Sequence, residues 1–140
     1  MSRRATLSPS IFYEDPARAM AFLEAAFGFE TTMKVTDAEG RIGHAELVLD
    51  DAVVMLGPAG WIGWAKSPRQ IGGANTQCVH IQVANVDAHS ARAQAAGARI
   101  EQPPTDQFYG DRNYRAQDPQ GHEWCFAQHV KDVAAEDMHP

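Results

Sequence analysis

The sequence is short of the features that usually assign a protein quickly. Its 140 residues include two cysteines, Cys78 and Cys125. Two thiols cannot build the disulfide framework of a small secreted domain, so a reducing, cytoplasmic setting is the expectation. No apolar run approaches the roughly 20 residues that a membrane span needs. The opening "MSRRATLSPS" has two arginines but no apolar segment after them, and predicts no secretory leader. Lysine and arginine number 12 against 18 aspartates and glutamates, a formal charge of −6. That is the wrong sign for a surface that tracks phosphates, and nucleic acid is not an expected partner. The one basic cluster near an end, "SRR" at residues 2–4, reads as a solvated terminus. There is no phosphate-cradling loop, because "GPAGWIG" lacks the lysine and the strand–helix context of one. No Ser/His/Asp arrangement stands out.

What remains is ordinary globular material, 44% hydrophobic and 21% charged, enough for one compact domain with a real core. Its organisation is repetitive. "SIFYEDPARAMAFLEAAFGFE" (10–30) and "HIQVANVDAHSARAQAAGARI" (80–100) each open with a short alternating strand, run into an alanine-rich helix and close at a glycine. In the first copy Asp15 can accept hydrogen bonds from the first-turn amides, and Pro16 occupies the first helical position, where its missing N–H costs nothing. Met20, Leu23 and Phe27 recur at helical spacing and are assigned to the core; Gly28 can take the left-handed conformation that ends the helix. In the second copy Asp87 is assigned the cap, Ala88, Ala91 and Ala95 form a thin apolar stripe, and Gly97 ends the helix.

Material for three strands follows each helix, at about 29–36, 41–49 and 52–56 and then at about 98–103, 108–117 and 122–128, with "DAEG", "DD" and "DPQG" as turns. The fold class predicted is α+β, two βαβββ modules with mixed sheets. The modules are placed at 6–57 and 76–130, with a Gly/Pro-rich linker or flap at 58–75 and a tail at 131–140. The linker carries Trp61, Ile62 and Trp64. These either seal a core or a subunit contact, or form a flap with aromatic faces for a ligand.

This pattern resembles the vicinal oxygen chelate superfamily of glyoxalases, bleomycin-resistance proteins and dioxygenases. The residues that carry the resemblance are "YEDPARAMAFLEAAFGFE", "VHIQVANVDAHSARAQAAGARI" and "DPQGHEWCFAQHV"; the ending "FYGDRNYRAQDPQGHEWCFAQHVKDV" looks like the PhnB-type, glyoxalase-like branch. The resemblance implies sheets that curl around an open cleft. In metal-dependent relatives, that cleft holds a divalent ion on two histidines and two glutamates. It also implies a homodimer, in some relatives with modules exchanged between subunits.

Counted from Asp15, Asp87 and "DPQG", the four ligand positions fall at Ser8, Met55, Cys78 and Cys125. Hydroxyl, thioether and thiol are not the oxygen and imidazole donors that Mg²⁺, Mn²⁺ or Fe²⁺ prefers, so no metal and no cofactor is expected. Strand parity also divides the "HEWCFAQH" cluster. His122, Trp124, Phe126 and Gln128 share one face, while Glu123, Cys125, Ala127 and His129 share the other. Trp124 and Phe126 suit the helix layer, which leaves Glu123 and Cys125 toward the cleft. The same parity puts Val79, Ile81 and Val83 on the packed face and Cys78, His80 and Gln82 on the cleft face. A displaced, zinc-favouring site on His80, Glu123, Cys78 and Cys125 is the alternative, although His80 lies roughly 6–7 Å along the strand from the inherited position. The two thiols are either inert or activated, with His80 as the nearby cation candidate.

Arg112, in "FYGDRNY" with Tyr109, Asp111 and Tyr114, either clamps an anionic ligand group through its planar fork or forms a structural Asp–Arg pair. His44 and Glu46 share a strand face and are read as cleft-edge or partly solvated groups; His89 is placed on the exposed side of its helix. The functional expectation is a metal-free cleft that binds a small, possibly aromatic molecule. Trp61, Trp64 and Tyr114 would stack on it, and His80, Glu123 and Arg112 would give polar specificity, beside Ser8, Met55, Cys78 and Cys125. The alternative is a lyase or dioxygenase with displaced ligands, in which Glu123 and His80 are the acid–base candidates.

Overall fold

The computed structural model describes residues 4–140, so the basic cluster at residues 2–4 lies, except for Arg4, outside the described residues. The chain divides into two compact units, with the break between Ala74 and Asn75. The first contains β1 (Ser10–Tyr13), α1 (Pro16–Phe22) continued by a π-helical turn over Leu23–Phe27, β2 (Glu30–Thr36), β3 (Ile42–Leu49) and β4 (Ala52–Pro58). The second contains β5 (Val79–Gln82), α2 (Val86–Ala95), β6 (Arg99–Asp106), β7 (Asp111–Gln117) and β8 (Glu123–His129). Their sheets are ordered β1-β4-β3-β2 and β5-β8-β7-β6. In each, the first strand runs parallel to the last and the remaining pairs are antiparallel. These are the two expected βαβββ modules, of α+β class. No helix among the described residues is long and apolar enough to cross a membrane.

The first helix forms as its sequence dictates. The Asp15 side chain accepts from the Arg18 amide at 3.2 Å, Pro16 occupies the first turn, and Gly28 closes the segment at φ 83°. Met20, Leu23 and Phe27 are buried against Ile11, Tyr13, Ala45, Leu47, Val54 and Leu56. Each large apolar side chain withdrawn from water contributes about 1.5–3 kcal/mol, so this layer fixes which face of the sheet is covered.

The second helix corrects the expectation in three respects. Its cap is Asn85, whose side chain accepts from the Ala88 amide at 3.1 Å; Asp87 lies inside the first turn. The helix therefore starts at Val86, and the buried stripe is Val86, Ser90 and Ala93, while Ala88, Ala91 and Ala95 are exposed. Moving the start rotates the assignment of the inward face, because position along a helix and azimuth are coupled at 3.6 residues per turn. As a consequence His89 turns inward: it is half-buried, hydrogen-bonds the Tyr114 hydroxyl and lies 4.3 Å from the Phe126 ring centroid.

The turn "DPQG" is built around one carboxylate. Asp118 Oδ1 accepts from the Gln120 and His122 amides, and Oδ2 accepts from the Trp124 indole at 3.0 Å. Trp124, Phe126 and Tyr114 are fully buried, and both Trp124 and Tyr114 stack on Phe126.

Replacing Asn85 with Ala removes the side-chain acceptor at the start of α2. Urea unfolding should then show a loss of about 1 kcal/mol, whereas Asp87→Ala leaves that cap in place.

Candidate functional site

Because α1 and α2 each cover one face of a sheet, the candidate chemistry lies on the faces they leave open. In the first unit, register places Ser10 beside Met55 and Met55 beside Glu46, while Phe12 lies beside Gly57. Glu46 in turn is beside Met33, and His44 beside Val35. The residues between them, Ile11, Leu56, Ala45 and Leu47, are buried on the helix side. The open face thus carries Phe12, Met55, Met33 and Val35 together with a polar pair, His44 Nε2 to Glu46 Oε2 at 3.1 Å.

Above one end of this face stand the two linker tryptophans. Trp64 meets the Phe12 ring edge-on at 5.6 Å and Trp61 at 6.4 Å. Both stay open to solvent, Trp61 at 61% and Trp64 at 68%. They do not seal a core. Their loop is held in shape by backbone bonds from Gly60 to Ala65 (2.6 Å), from Ala65 to Ile62 (3.0 Å) and from Ala59 to Tyr13 (2.8 Å). Ala65 and Ser67 beyond it are buried, and a capping box on Ser67 and Gln70 starts a short 3₁₀ turn at Pro68–Ile71. Exposed aromatic rings on a backbone fixed in this way lose little conformational freedom when a ligand stacks on them. Phe12 and Gly57 were not singled out in the sequence. The available signal was the phenylalanine in "SIFY", out of phase with its inward neighbours Ile11 and Tyr13.

The open face of the second unit is polar. His80 pairs in register with Cys125, and Glu123 with Gln117. The Gln117 amide donates to Glu123 Oε1 at 2.6 Å, and the Glu123 backbone amide donates to Asn75. The neighbouring Glu123 carboxyl, reinforced by burial, raises the pKa of Glu101. Cys78 is exposed just ahead of β5, whereas Cys125 is buried. Burial, followed by the field of Cys78, pushes the Cys125 thiol up and keeps it protonated.

Two expected ligand contacts belong to the other side of this sheet. Tyr114 pairs with Phe126 and is fully buried under α2, and burial drives its hydroxyl pKa far upward. Arg112 is beside Gln128, whose side chain accepts from the Val86 amide at the start of α2. Its guanidinium grips Asp87 at 2.9 and 3.1 Å and Asp106 at 3.2 Å, and it holds the Asp87 carboxyl below the usual range. Arg112 thus forms Asp–Arg pairs within the protein. Parity decides both cases, since 112, 114 and 116 share the helix side with Trp124 and Phe126.

The inherited metal positions do not fit a metal. Ser8 is half-buried and lies two residues ahead of β1; Met55 is half-buried on the first open face. Their counterparts are Cys78 and Cys125. A hydroxyl, a thioether and two thiols do not make a hard-ion donor set. Among the described residues no three His, Cys, Asp or Glu side chains converge where they could hold an ion, the set His80, Glu123, Cys78 and Cys125 included.

A pair of half-repeated sheets with an open face each defines the architecture, and comparison with known proteins gives the family. The Glyoxalase/Bleomycin resistance protein/Dioxygenase superfamily model matches residues 6–126, and the chain belongs to that superfamily. It is 33% identical over 135 residues to the uncharacterized protein Rv0887c of Mycobacterium tuberculosis H37Rv, covering 94% of this chain and 79% of that one. It also resembles the crystal structure of TioX from Micromonospora sp. ML1, with a TM-score of 0.73 and 32% identity over 91% of this chain and 100% of TioX. TnmS3, an antibiotic binding protein from Streptomyces sp. CB03234, shares the fold at a TM-score of 0.70 and 20% identity, over 93% of this chain and 99% of TnmS3.

Two outcomes follow for the titratable groups. A thiol reagent should label Cys78 rapidly in the folded protein and Cys125 only after unfolding; equal rates would contradict the burial of Cys125. His129 lies between Asp111 at 3.0 Å and Asp132 at 2.7 Å, and these two carboxylates raise its pKa. A raised histidine pKa means that the pairing is complete below the ordinary imidazole value of about 6.5 and is lost as pH rises through the folded value. An NMR titration should place the His129 midpoint above the ordinary imidazole value of about 6.5.

Proposed function

We propose that this chain is a binding protein for a small planar aromatic molecule, held without a metal on the open face of the first sheet. The observation that carries this reading is the Phe12–Trp64–Trp61 cluster. Three aromatic rings are arranged edge-to-face on a braced loop and sheet, and the two tryptophans are left largely in water. Exposed, pre-positioned tryptophans beside apolar sheet residues are what a stacking site requires. Met55 adds a soft, polarisable floor at the position where metal-dependent relatives place a ligand. The antibiotic binding of TnmS3 is consistent with a binding role in this fold, and drug sequestration is one form that role would take. The reading includes a homodimer in a reducing cytoplasm, which rests on the family resemblance and the sparse cysteines.

A second reading has one observation in its favour. The raised pKa of Glu101 beside Glu123 would let that carboxyl pair serve as a general acid–base, with His80 on the same sheet face. This enzyme reading predicts turnover that vanishes in Glu123→Gln.

The binding reading is tested by calorimetric titration with acridine of the native chain and of a Trp61→Ala/Trp64→Ala double variant. Loss of both stacking partners should weaken binding by about tenfold or more. Trp124 stays buried in both proteins and serves as the fluorescence control for folding. Undiminished affinity in the double variant would refute the site.

A further inference from the structure

The middle of the first open face carries a carboxylate. Register sets Ser10, Met55, Glu46 and Met33 in one row across the four strands, so Glu46 lies between two thioethers. Its side chain is 24% exposed. Among the described residues this carboxylate meets no lysine or arginine; its partner is His44, at 3.1 Å. The carboxylate has only acceptors, so His44 Nε2 donates to it. A neutral imidazole brings a hydrogen bond there and no balancing charge. Lys34, on the neighbouring strand, pairs with the buried Ala45 and belongs to the helix side.

Other carboxylates of the chain are compensated from within. Asp118 is buried and accepts from two backbone amides and the Trp124 indole. Asp87 and Asp106 share the Arg112 guanidinium. Withdrawing a carboxylate from water among apolar groups is costly unless donors or a cation offset it. A neutral aromatic laid over Met55 would withdraw Glu46 further and offer nothing in return. A cationic one would supply the missing charge.

The aromatic rings favour the same sign. Phe12 is two residues along β1 from Ser10, the neighbour of Met55 in the row that contains Glu46. Two residues and two strand spacings put the Cα atoms of Phe12 and Glu46 roughly 12 Å apart, with Met55 between. Trp64 packs on Phe12, and Trp61 packs on Trp64. The faces of such rings are electron-rich and attract cations.

We propose that the ligand of this face is a cationic planar aromatic, its ring system lying over Met55 against Phe12 and Trp64 and its positive charge balanced by Glu46. This rests on the aromatic-binding reading and adds the charge of the ligand.

The test compares 10-methylacridinium, a permanent cation, with acridine by calorimetry at mildly alkaline pH, where acridine is uncharged. The two share a ring system. The native chain should prefer the cation by about tenfold. Glu46→Gln keeps the shape and removes the charge, so it should abolish the preference and leave acridine binding unchanged. Glu136→Gln removes one negative charge from the exposed tail of the other unit and should leave the preference intact. The fluorescence of the buried Trp124 reports whether each variant is folded. Equal affinities in the native chain, a preference that survives Glu46→Gln, or an equal loss in Glu136→Gln overturns the cation proposal and leaves aromatic binding intact. Failure of both probes to bind the native chain overturns the two together.

Discussion

Successive side chains of a strand point to opposite faces, and each unit of this protein has one helix with which to cover one of them. That coverage is the constraint from which the rest follows. In the first unit it consumes Ile11, Tyr13, Leu47, Val54 and Leu56, and in the second Tyr114, Trp124 and Phe126, all buried. The alternate residues are left to do something else. A helix moved to the other face would bury the His44–Glu46 pair and expose leucine and valine, so the choice of face is fixed by the hydrophobic pattern before any ligand is considered.

The duplication has diverged on the open faces more than on the covered ones. Asp15 and Asn85 cap their helices at equivalent points, and both sheets have the same strand order. The residues facing outward are unalike. Phe12 against Gly57 in one unit becomes Gln82 against Ala127 in the other, and Met55 becomes Cys125. One face is aromatic and apolar with a single polar pair; the other carries side-chain hydrogen bonds from Gln117 to Glu123 and from Gln102 to Asn113. A common scaffold therefore carries two surfaces of different chemistry, which is how one fold accommodates many functions.

The strands, the turns and the first helix were legible because they rest on local signals: alternation, Asp–Pro capping and glycines at left-handed positions. The second helix was misjudged because Asn85 and Asp87 are both acceptable caps, and two residues of ambiguity rotate the buried stripe onto different alanines. Parity placed Glu123, Cys125 and His80 on the open face, since it needs only a strand and one anchor. It would have excluded Tyr114 and Arg112 as well, had the β7–β8 register been known. That register depends on a hairpin pairing, which composition does not reveal. The role of Phe12 was hidden for a related reason. Its contacts are with Gly57 and Trp64, far along the chain, and only the parallel β1–β4 pairing brings them together.

The central claim is that the uncovered face of the first sheet is where a ligand lies. It is tested most directly by mapping amide and indole chemical shifts of the labelled protein as acridine is added. The account predicts that perturbations gather at Phe12, Met55 and the Trp61 and Trp64 indoles, while the helix-side residues Leu47 and Leu56 and the buried Trp124 indole stay still. Shifts centred on the helix-covered side, or on the second sheet with the first unmoved, would contradict it.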